Sequence, residues 1–307
     1  MNRKIDLHRI LFFSCASVTA LSVILILGYI LFAAMPVLGR EGPVAFIFGS
    51  TWDYETHQFG IWSYIVATLM VTAVTVILAV PMGLATATFL SEWAPAWLDR
   101  TLMTFIELLV GIPSVVYGIF GYFVLRGYFT DFIDPFLGKT LGFTPLFRSG
   151  NTIGIGIPLA GTVLAIMVLP TIVSLSREAM QGVPDELREG SLALGATRWE
   201  TVSSLVIPAS LSGIVTGLIL GIMRAMGETM AVVMLIGNVG STPGSFLDLA
   251  EPMTAKILLD IGMYISVPEG RSALFALGAV LMLTEIGFVI AIHLVNDKLK
   301  KRVEGAS

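Results

Sequence analysis

An arginine and a glutamate stand four residues apart inside GIMRAMGETMAVVMLIGN, an otherwise uncharged stretch at residues 221–238. An ionisable side chain costs several kcal/mol in hydrocarbon, so such residues usually face a bundle interior or a wet cavity. On one continuous helix, Arg224 and Glu228 would lie about 6 Å apart on the same face. The planar donor fork of arginine suits phosphate or sulfate oxygens. The pair therefore indicates an anion site in which Glu228 restrains Arg224, or alternatively an ion pair that only stabilises packing.

The composition points to a membrane protein. Of 307 residues, 55% are hydrophobic and 13% are charged, whereas soluble domains carry about 25% charged residues. The net charge of −4 gives no indication of nucleic-acid binding. A single cysteine, Cys15, excludes an internal disulfide. The three histidines are widely scattered in the sequence, so we expect no metal site.

Six apolar runs are long enough to be membrane helices. They are Ile10–Met35, Ile61–Leu90, Thr101–Leu125, Thr152–Leu175, Leu205–Gly237 and Ser272–Val295. The first run is about twice as long as a signal-peptide core, so we interpret it as a retained anchor that contacts membrane lipid. The sequence thus predicts an all-α integral membrane protein with six transmembrane helices.

Lysine and arginine residues near the ends of these runs predict the orientation. With the N-terminus inside, the inner segments hold eleven of them and the outer loops hold six. This bias favours both termini in the cytoplasm. Of the two long outer loops, residues 126–151 are expected to form a packed loop. Residues 239–270 are expected to contain a short helix between Leu247 and Ile265, which is either a surface helix or a docking surface for an external partner.

Two helices are expected to line or support the anion path. In the third run, Pro113 lacks a backbone donor, so the groups that it frees and the Ser114 hydroxyl are candidates to contact an anion, the alternative being a packing kink. In the fifth run, small residues recur every four positions, which is typical of close helix packing. They are Gly213, Gly217, Gly221 and Ala225.

A long inner segment lies between the fourth and fifth runs. Pro184 and Asp185 mark the start of a short, partly amphipathic helix that Gly195 ends. Such a helix either lies on the membrane or contacts a cytoplasmic partner. The tripeptide GKT at 138–140 is not a phosphate-binding loop, because Ile133 stands where that motif needs glycine. The chain is therefore not expected to bind ATP itself.

The same segment resembles the signature of type I ABC importer permeases. Glu189 is followed by Gly190 and Ser191, and then by Gly195 and Ala196. Nine residues separate Gly195 from LVIP, which ends at Pro208. Gly190 and Ser191 replace the two alanines of the family pattern. In that family the loop docks on the ATPase subunit, so the resemblance implies a coupling segment at residues 177–204. It carries the coupling residues Glu189, Gly190, Gly195 and Ala196 and is followed by Pro208.

Three blocks are similar to the phosphate permeases of this family: RAMGETMAV from Arg224, ELLVGIPSVVYGIFGYF at 107–123 and EGSLALGATRWETVSSLVIPAS at 189–210. The resemblance implies a MetI-like fold and a role for Arg224 and Glu228 in phosphate translocation. It also implies a second homologous permease, an ATPase dimer that binds ATP and magnesium, an external phosphate-binding protein and a bacterial inner membrane location. No cofactor, metal or catalysis is expected on this chain.

These observations predict an N-terminal anchor and loop at residues 1–60, a transporter domain at 61–296 and a basic cytoplasmic tail at 297–307. Two alternatives remain open. One is a permease of the same class for another oxyanion, such as sulfate, molybdate or phosphonate. The other is an ion-coupled secondary transporter, which would not need the coupling segment.

Overall fold

The computed structural model describes the backbone of residues 7–148 and 153–304, and side chains for residues 11–148 and 153–294. Contacts divide the chain into two compact units. The first contains the residues up to Trp62 together with Ile257–Leu283. The second contains Ser63–Lys256 and the residues from Thr284 onward. The domain boundaries at residues 60 and 296 stay predictions.

The described part of the chain is mainly helical. In chain order its elements are α1 (Leu7–Glu41), α2 (Pro43–Phe48), β1 (Trp52–Asp53), β2 (Gln58–Phe59), α3 (Trp62–Glu92), α4 (Ala96–Val110), α5 (Ser114–Phe120), α6 (Arg126–Tyr128), α7 (Asp134–Leu141), α8 (Ile157–Gln181), α9 (Asp185–Ala193), α10 (Arg198–Thr201), α11 (Ile207–Gly227), α12 (Met230–Leu235), α13 (Met253–Tyr264) and α14 (Pro268–Glu304). Single π-helical turns at Gly121–Leu125, Phe129–Ile133 and Val202–Val206 join neighbouring helices.

The predicted spans correspond to these helices. Five described helices are long and apolar enough to cross a membrane, and a sixth span results if α4 and the helical stretch Ser114–Leu141 are counted together. That pair is bent by 96°, at the Gly111–Pro113 step where the sequence predicts a kink. The all-α, six-span prediction is therefore confirmed. The predicted start of the fourth span at Thr152 lies outside the described residues.

The expectation of a packed loop at 126–151 is wrong for residues 126–141, which are helical. The glycines and prolines of this stretch suggested a loop. Pro135, however, follows the π-helical turn Phe129–Ile133, and such local π adjustments let a membrane helix tolerate a residue that lacks a backbone donor. Residues 149–151 lie outside the described part of the chain.

The predicted helix of the 239–270 loop exists, but it begins at Met253 rather than near Leu247. Two side chains of α3 fix its start. The Met253 N–H donates to Thr68 Oγ1 at 3.0 Å, and Lys256 Nζ lies 5.4 Å from the centre of the Tyr64 ring. The apolar pattern before Met253 instead packs into the core, where Leu247 and Ala250 are buried.

The core of the second unit is built around α8. Its buried side chains pack against α3, α5 and α12, and Leu159, Val163 and Leu235 belong to the same cluster. The small-residue stripe of α11 lies against α8, because Cβ atoms added at Gly213, Gly217 and Gly221 would lie 2.4–3.0 Å from side chains of that helix. The predicted close packing of the fifth span is thus confirmed.

In the first unit, α1 and the start of α14 pack together beside a two-stranded hairpin. Val37 N–H donates to Ser272 Oγ at 3.0 Å. An aromatic cluster covers the hairpin. In this cluster, Tyr54 stacks on Tyr264, and its hydroxyl donates a 2.6 Å hydrogen bond to Asp260. Burial and this hydrogen bond raise the pKa of Tyr54, so its hydroxyl stays protonated.

The close packing of α11 on α8 predicts the effect of a single methyl group. Gly213→Ala would place a Cβ 2.4 Å from Ala179 Cβ, and we expect the free energy of unfolding to fall by about 1–3 kcal/mol, the usual cost of overpacking. The thermal unfolding midpoint of the purified protein measures this. In the control Gly287→Ala, the added Cβ meets nothing within 4 Å, so the midpoint should stay or rise slightly. Equal midpoints for the two variants would contradict the packing argument.

Candidate functional site

The helix of the fifth span breaks at the charged stretch. Helix α11 ends at Gly227, Glu228 is extended with φ −70° and ψ 130°, and α12 begins at Met230. The single continuous helix expected over Leu205–Gly237 is therefore wrong at this point. Helix α11 starts after the π-helical turn Val202–Val206 and carries Pro208 in its first turn.

Arg224 and Glu228 do not form the expected pair. No nitrogen of Arg224 lies within 4.0 Å of a carboxylate oxygen of any described residue. The physical reason is the break, because an extended residue at position 228 does not stack one turn above Arg224. Each charge instead occupies a helix end of suitable polarity: Arg224 lies in the last turn of α11, and Glu228 precedes the first turn of α12.

Glu228 is held by hydrogen bonds on both sides of the break. Its Oε1 accepts a 3.4 Å hydrogen bond from the Ala231 N–H. Its backbone carbonyl accepts a 3.1 Å bond from Thr254 Oγ1, and its own N–H donates to the Ala225 carbonyl at 3.4 Å. These bonds replace the intrahelical ones that the break removes, as hydrocarbon surroundings require.

A small cavity lies beside Glu228. It has a volume of about 10 Å³ and is lined by Thr68 and Thr72 of α3, by Thr254 and by apolar side chains. This is roughly the space that one water molecule needs. A further carboxylate also approaches the break, since Glu285 Oε1 lies 3.7 Å from the position that a Cβ on Gly227 would take.

Ser114 begins α5, directly after the bend at Pro113. Helix α5 packs on α12, and the backbone of the two helices approaches closely at Gly118, where an added Cβ would lie 3.3 Å from Ala231 Cα. The Ser114 hydroxyl makes no hydrogen bond to another described residue. Tyr117, one turn later, is buried and lies within electrostatic range of the Arg224 guanidinium. Its hydroxyl donates to the Leu109 carbonyl at 3.0 Å, across the bend. Tyr117 is a site residue that sequence reasoning missed.

The coupling segment (residues 177–204) has the predicted short helix. Helix α8 runs through Gln181, so the segment leaves it at Gly182, and α9 then spans Asp185–Ala193 with Glu189 and Gly190 inside it. Gly195 has φ +91°, a conformation that favours glycine, and turns the chain before Ala196. Thr197 and Glu200 then form a capping box that starts α10.

Arg188 holds this segment to the membrane helices. Its guanidinium donates to the Met180 carbonyl at 2.7 Å, to Asp185 at 3.0 Å and to Glu92 of α3 at 3.2 Å, and it also contacts the Val183 carbonyl. Nearby, Arg177 pairs with Asp99 of α4, with 2.6 Å between Nε and Oδ1. Sequence reasoning used both arginines only as positive charges, because their partners are about 80–100 residues away in the chain.

The outer face of the coupling segment is apolar and exposed. Leu194 is 92% exposed, Leu187 is 48% exposed, and Trp199 is 62% exposed and stacks on Trp93 at 6.0 Å between ring centres. Large exposed apolar side chains on one short segment are typical of a contact surface. The coupling segment therefore presents exposed apolar side chains while Arg188 anchors it.

Removal of the Arg188 contacts should loosen this base. Arg188→Met deletes several charge-assisted hydrogen bonds, each worth about 1.5–3 kcal/mol. Loss of one such bond already corresponds to about a tenfold change in an opening equilibrium, so we expect hydrogen exchange across residues 182–196 to accelerate at least tenfold. Hydrogen–deuterium exchange with mass spectrometry measures this. Arg198→Met is the matched control, since Arg198 is exposed and makes no ion pair with a described residue. Identical exchange in the two variants would refute the anchoring role.

Comparisons with known sequences give consistent results. A family model described as "Binding-protein-dependent transport system inner membrane component" matches residues 79–304. The phosphate transport system permease protein PstC of Xylella fastidiosa strain 9a5c is 39% identical over 262 residues, which cover 84% of this chain and 80% of that protein. PstC of Haemophilus influenzae is 36% identical over 260 residues, which cover 84% and 82%.

Solved structures show a similar fold at low identity. A chain of the bacterial alginate ABC transporter, in complex with its alginate pentasaccharide-bound periplasmic protein, matches with a TM-score of 0.59 and 15% identity, covering 97% of this chain and 96% of that chain. A chain of the inward-facing MetNI methionine ABC transporter matches with a TM-score of 0.51 and 16% identity, covering 82% and 99%.

Proposed function

We propose, because the chain belongs to the family of binding-protein-dependent transport system inner membrane components, that it is a permease subunit of an ATP-driven phosphate importer. The family is a transport family, and the predicted MetI-like fold of type I ABC importer permeases is confirmed. The relatives named as phosphate permeases support phosphate as the substrate. The observation that carries the proposal is Arg224, a cation without a described ion-pair partner at a helix break inside a span.

Arg224 supplies the attraction that lets an anion enter a low-dielectric path. Phosphate carries one to two negative charges near neutral pH, and an arginine fork can donate to two of its oxygens. Because Glu228 is bonded to the start of α12, it leaves the guanidinium free to act on phosphate. The carboxylates of Glu228 and Glu285 near the break limit how tightly the anion is held, since a permeating ion must also leave. Ser114 is proposed to add a hydroxyl donor along this path.

Membership of the family implies an ATPase and a binding protein as partners. We propose that these are a PstB-like ATPase dimer, which holds ATP and magnesium, and a PstS-like phosphate-binding protein, with a PstA-like homologous permease completing the path. Glu189, Gly190, Gly195 and Ala196 form the part of the coupling segment that would meet the ATPase, and Pro208 starts the helix that transmits its motion. This chain itself would bind no cofactor. The transport system is placed in the inner membrane, with both termini of this chain proposed to be cytoplasmic.

Uptake by vesicles that contain the complete complex tests the role of Arg224. With internal ATP, we expect Arg224→Gln to lower phosphate uptake by about 10- to 100-fold, the range that one or two lost charge-assisted hydrogen bonds predict. Arg224→Lys should recover part of the rate, because it keeps the charge but loses the fork. Radiolabelled phosphate measures the uptake, and Arg148→Gln, which removes an exposed arginine elsewhere, is the control.

Three results of that assay would change the proposal. Wild-type uptake in Arg224→Gln would return the charges of residues 221–238 to a packing role. Uptake that persists without ATP, or follows an ion gradient, would favour a secondary transporter. Equal competition by sulfate, molybdate or a phosphonate would favour the alternative substrate, because a guanidinium alone does not distinguish tetrahedral oxyanions.

The exposed apolar side chains of the coupling segment predict a separate defect. Leu194→Asp places a charge on a side chain that is 92% exposed, so the chain should fold normally and keep its thermal midpoint. We expect the ATPase to co-purify at a tenth or less of the wild-type amount, since burying an unpaired carboxylate in an interface costs more than about 1.4 kcal/mol. Leu146→Asp, at another exposed leucine, should co-purify normally. Full recovery of the ATPase with Leu194→Asp would rule out this contact.

A further inference from the structure

A groove in the first unit runs along α1 toward two arginines. It has a volume of about 510 Å³, and α1 and the start of α14 supply most of its lining, with Phe59 of the hairpin. Tyr29, Phe32, Ala33, Met35 and Pro36 form its apolar part. Arg40, Arg271 and Glu269 lie at its other end.

The two arginines are available to bind an anion. Arg40 and Arg271 are exposed, and neither has a carboxylate of a described residue within 4.0 Å, Glu269 included. The charged side chains of the lining are Arg40, Arg271 and Glu269, and their net charge is +1. They also lie at matching ends of two candidate spans, since Arg40 is next to the last residue of Leu11–Glu41 and Arg271 is near the start of Pro268–Leu294.

The apolar part of the groove matches the depth of one lipid leaflet. From Arg40 back to Tyr29 is eleven residues, which is about 16 Å along a helix. Half of a hydrocarbon core that is about 30 Å thick is about 15 Å. Only 11% of the residues in an apolar 18-residue window of the α1 span are buried, so this helix leaves most of its apolar surface to its surroundings.

Two contacts fix the walls of the groove relative to each other. Near the arginines, Ser272 accepts the hydrogen bond from the Val37 N–H, next to Pro36. At the deep end, the rings of Tyr29 and Phe275 meet edge to face at 5.5 Å. The walls are therefore fixed by α1 and α14 themselves, and no ligand is needed to form them.

We propose that this groove binds an anionic phospholipid. Arg40 and Arg271 hold the headgroup phosphate, and one acyl chain lies against Phe32, Ala33 and Met35. A soluble phosphate would leave the apolar part unfilled, and a protein helix would leave the two arginines unpaired unless it carried an acid at that depth. Net positive charge at the headgroup level and apolar surface below it are the features that a phospholipid complements. This site is separate from the proposed transport path and does not depend on which anion is transported.

Native mass spectrometry of the complete transporter in mild detergent tests the proposal, with phosphatidylglycerol as the probe. The double variant Arg40→Gln/Arg271→Gln should bind this lipid about tenfold more weakly. Ala33→Phe should weaken it similarly by filling the acyl part, although every charge remains. The double variant Arg40→Lys/Arg271→Lys should retain most of the binding, which separates loss of charge from misfolding.

The controls address the other occupants. Arg100→Gln/Arg148→Gln removes two exposed arginines elsewhere and should leave the affinity unchanged. Phosphatidylcholine, which has no net charge, should bind more weakly than phosphatidylglycerol. Inorganic phosphate should not displace phosphatidylglycerol. Wild-type affinity in both Arg40→Gln/Arg271→Gln and Ala33→Phe would overturn the proposal. Absence of any lipid bound to the complete complex would also overturn it and would mean that a partner subunit covers the groove. Displacement of phosphatidylglycerol by inorganic phosphate would overturn it as well.

Discussion

The helix break at Glu228 and Thr229 has to keep its backbone polar groups bonded, because hydrocarbon offers no water to replace lost hydrogen bonds. Side chains around the break satisfy them: the Glu228 carboxylate accepts from α12, and Thr254 donates to the Glu228 carbonyl. Thr254 can do so because the start of α13 is fixed to α3 through Thr68. Three stretches that are distant in sequence therefore combine to stabilise one interruption of a span.

The same break determines the electrostatics of the site. An intact helix would have placed Glu228 one turn from Arg224 and would have largely neutralised it. The extended residue separates the two charges, so that the guanidinium is not neutralised within the described chain. Packing of α11 on α8 through Gly213 and Gly217 holds this cation at a defined position. An anion path needs both properties, a free positive charge and a rigid helix that carries it.

The coupling segment of the second unit combines an exposed apolar face with a bonded polar side. Its apolar face stays exposed, while its polar side is bonded to the membrane helices through Arg188 and Glu92. A surface that protrudes from a fixed base can pass a displacement to the helices that hold it, whereas a mobile loop would absorb that displacement. The groove lined by Arg40 and Arg271 is a third case, in which the ends of two candidate spans bring two cations to one site.

The sequence by itself determined the apolar spans, the kink at Pro113, the short helix before Gly195 and the charged residues that carry the proposed function. Hydropathy, proline and glycine act through local geometry, and local geometry is readable from neighbouring residues. The contacts of Arg188 with Glu92 and of Glu228 with Thr254, the approach of Glu285 to Gly227, and the helical state of residues 126–141 were decided by the tertiary structure. Each depends on groups that are far apart in the chain or on packing that overrides local propensity, and a pattern along one sequence does not specify which distant group arrives.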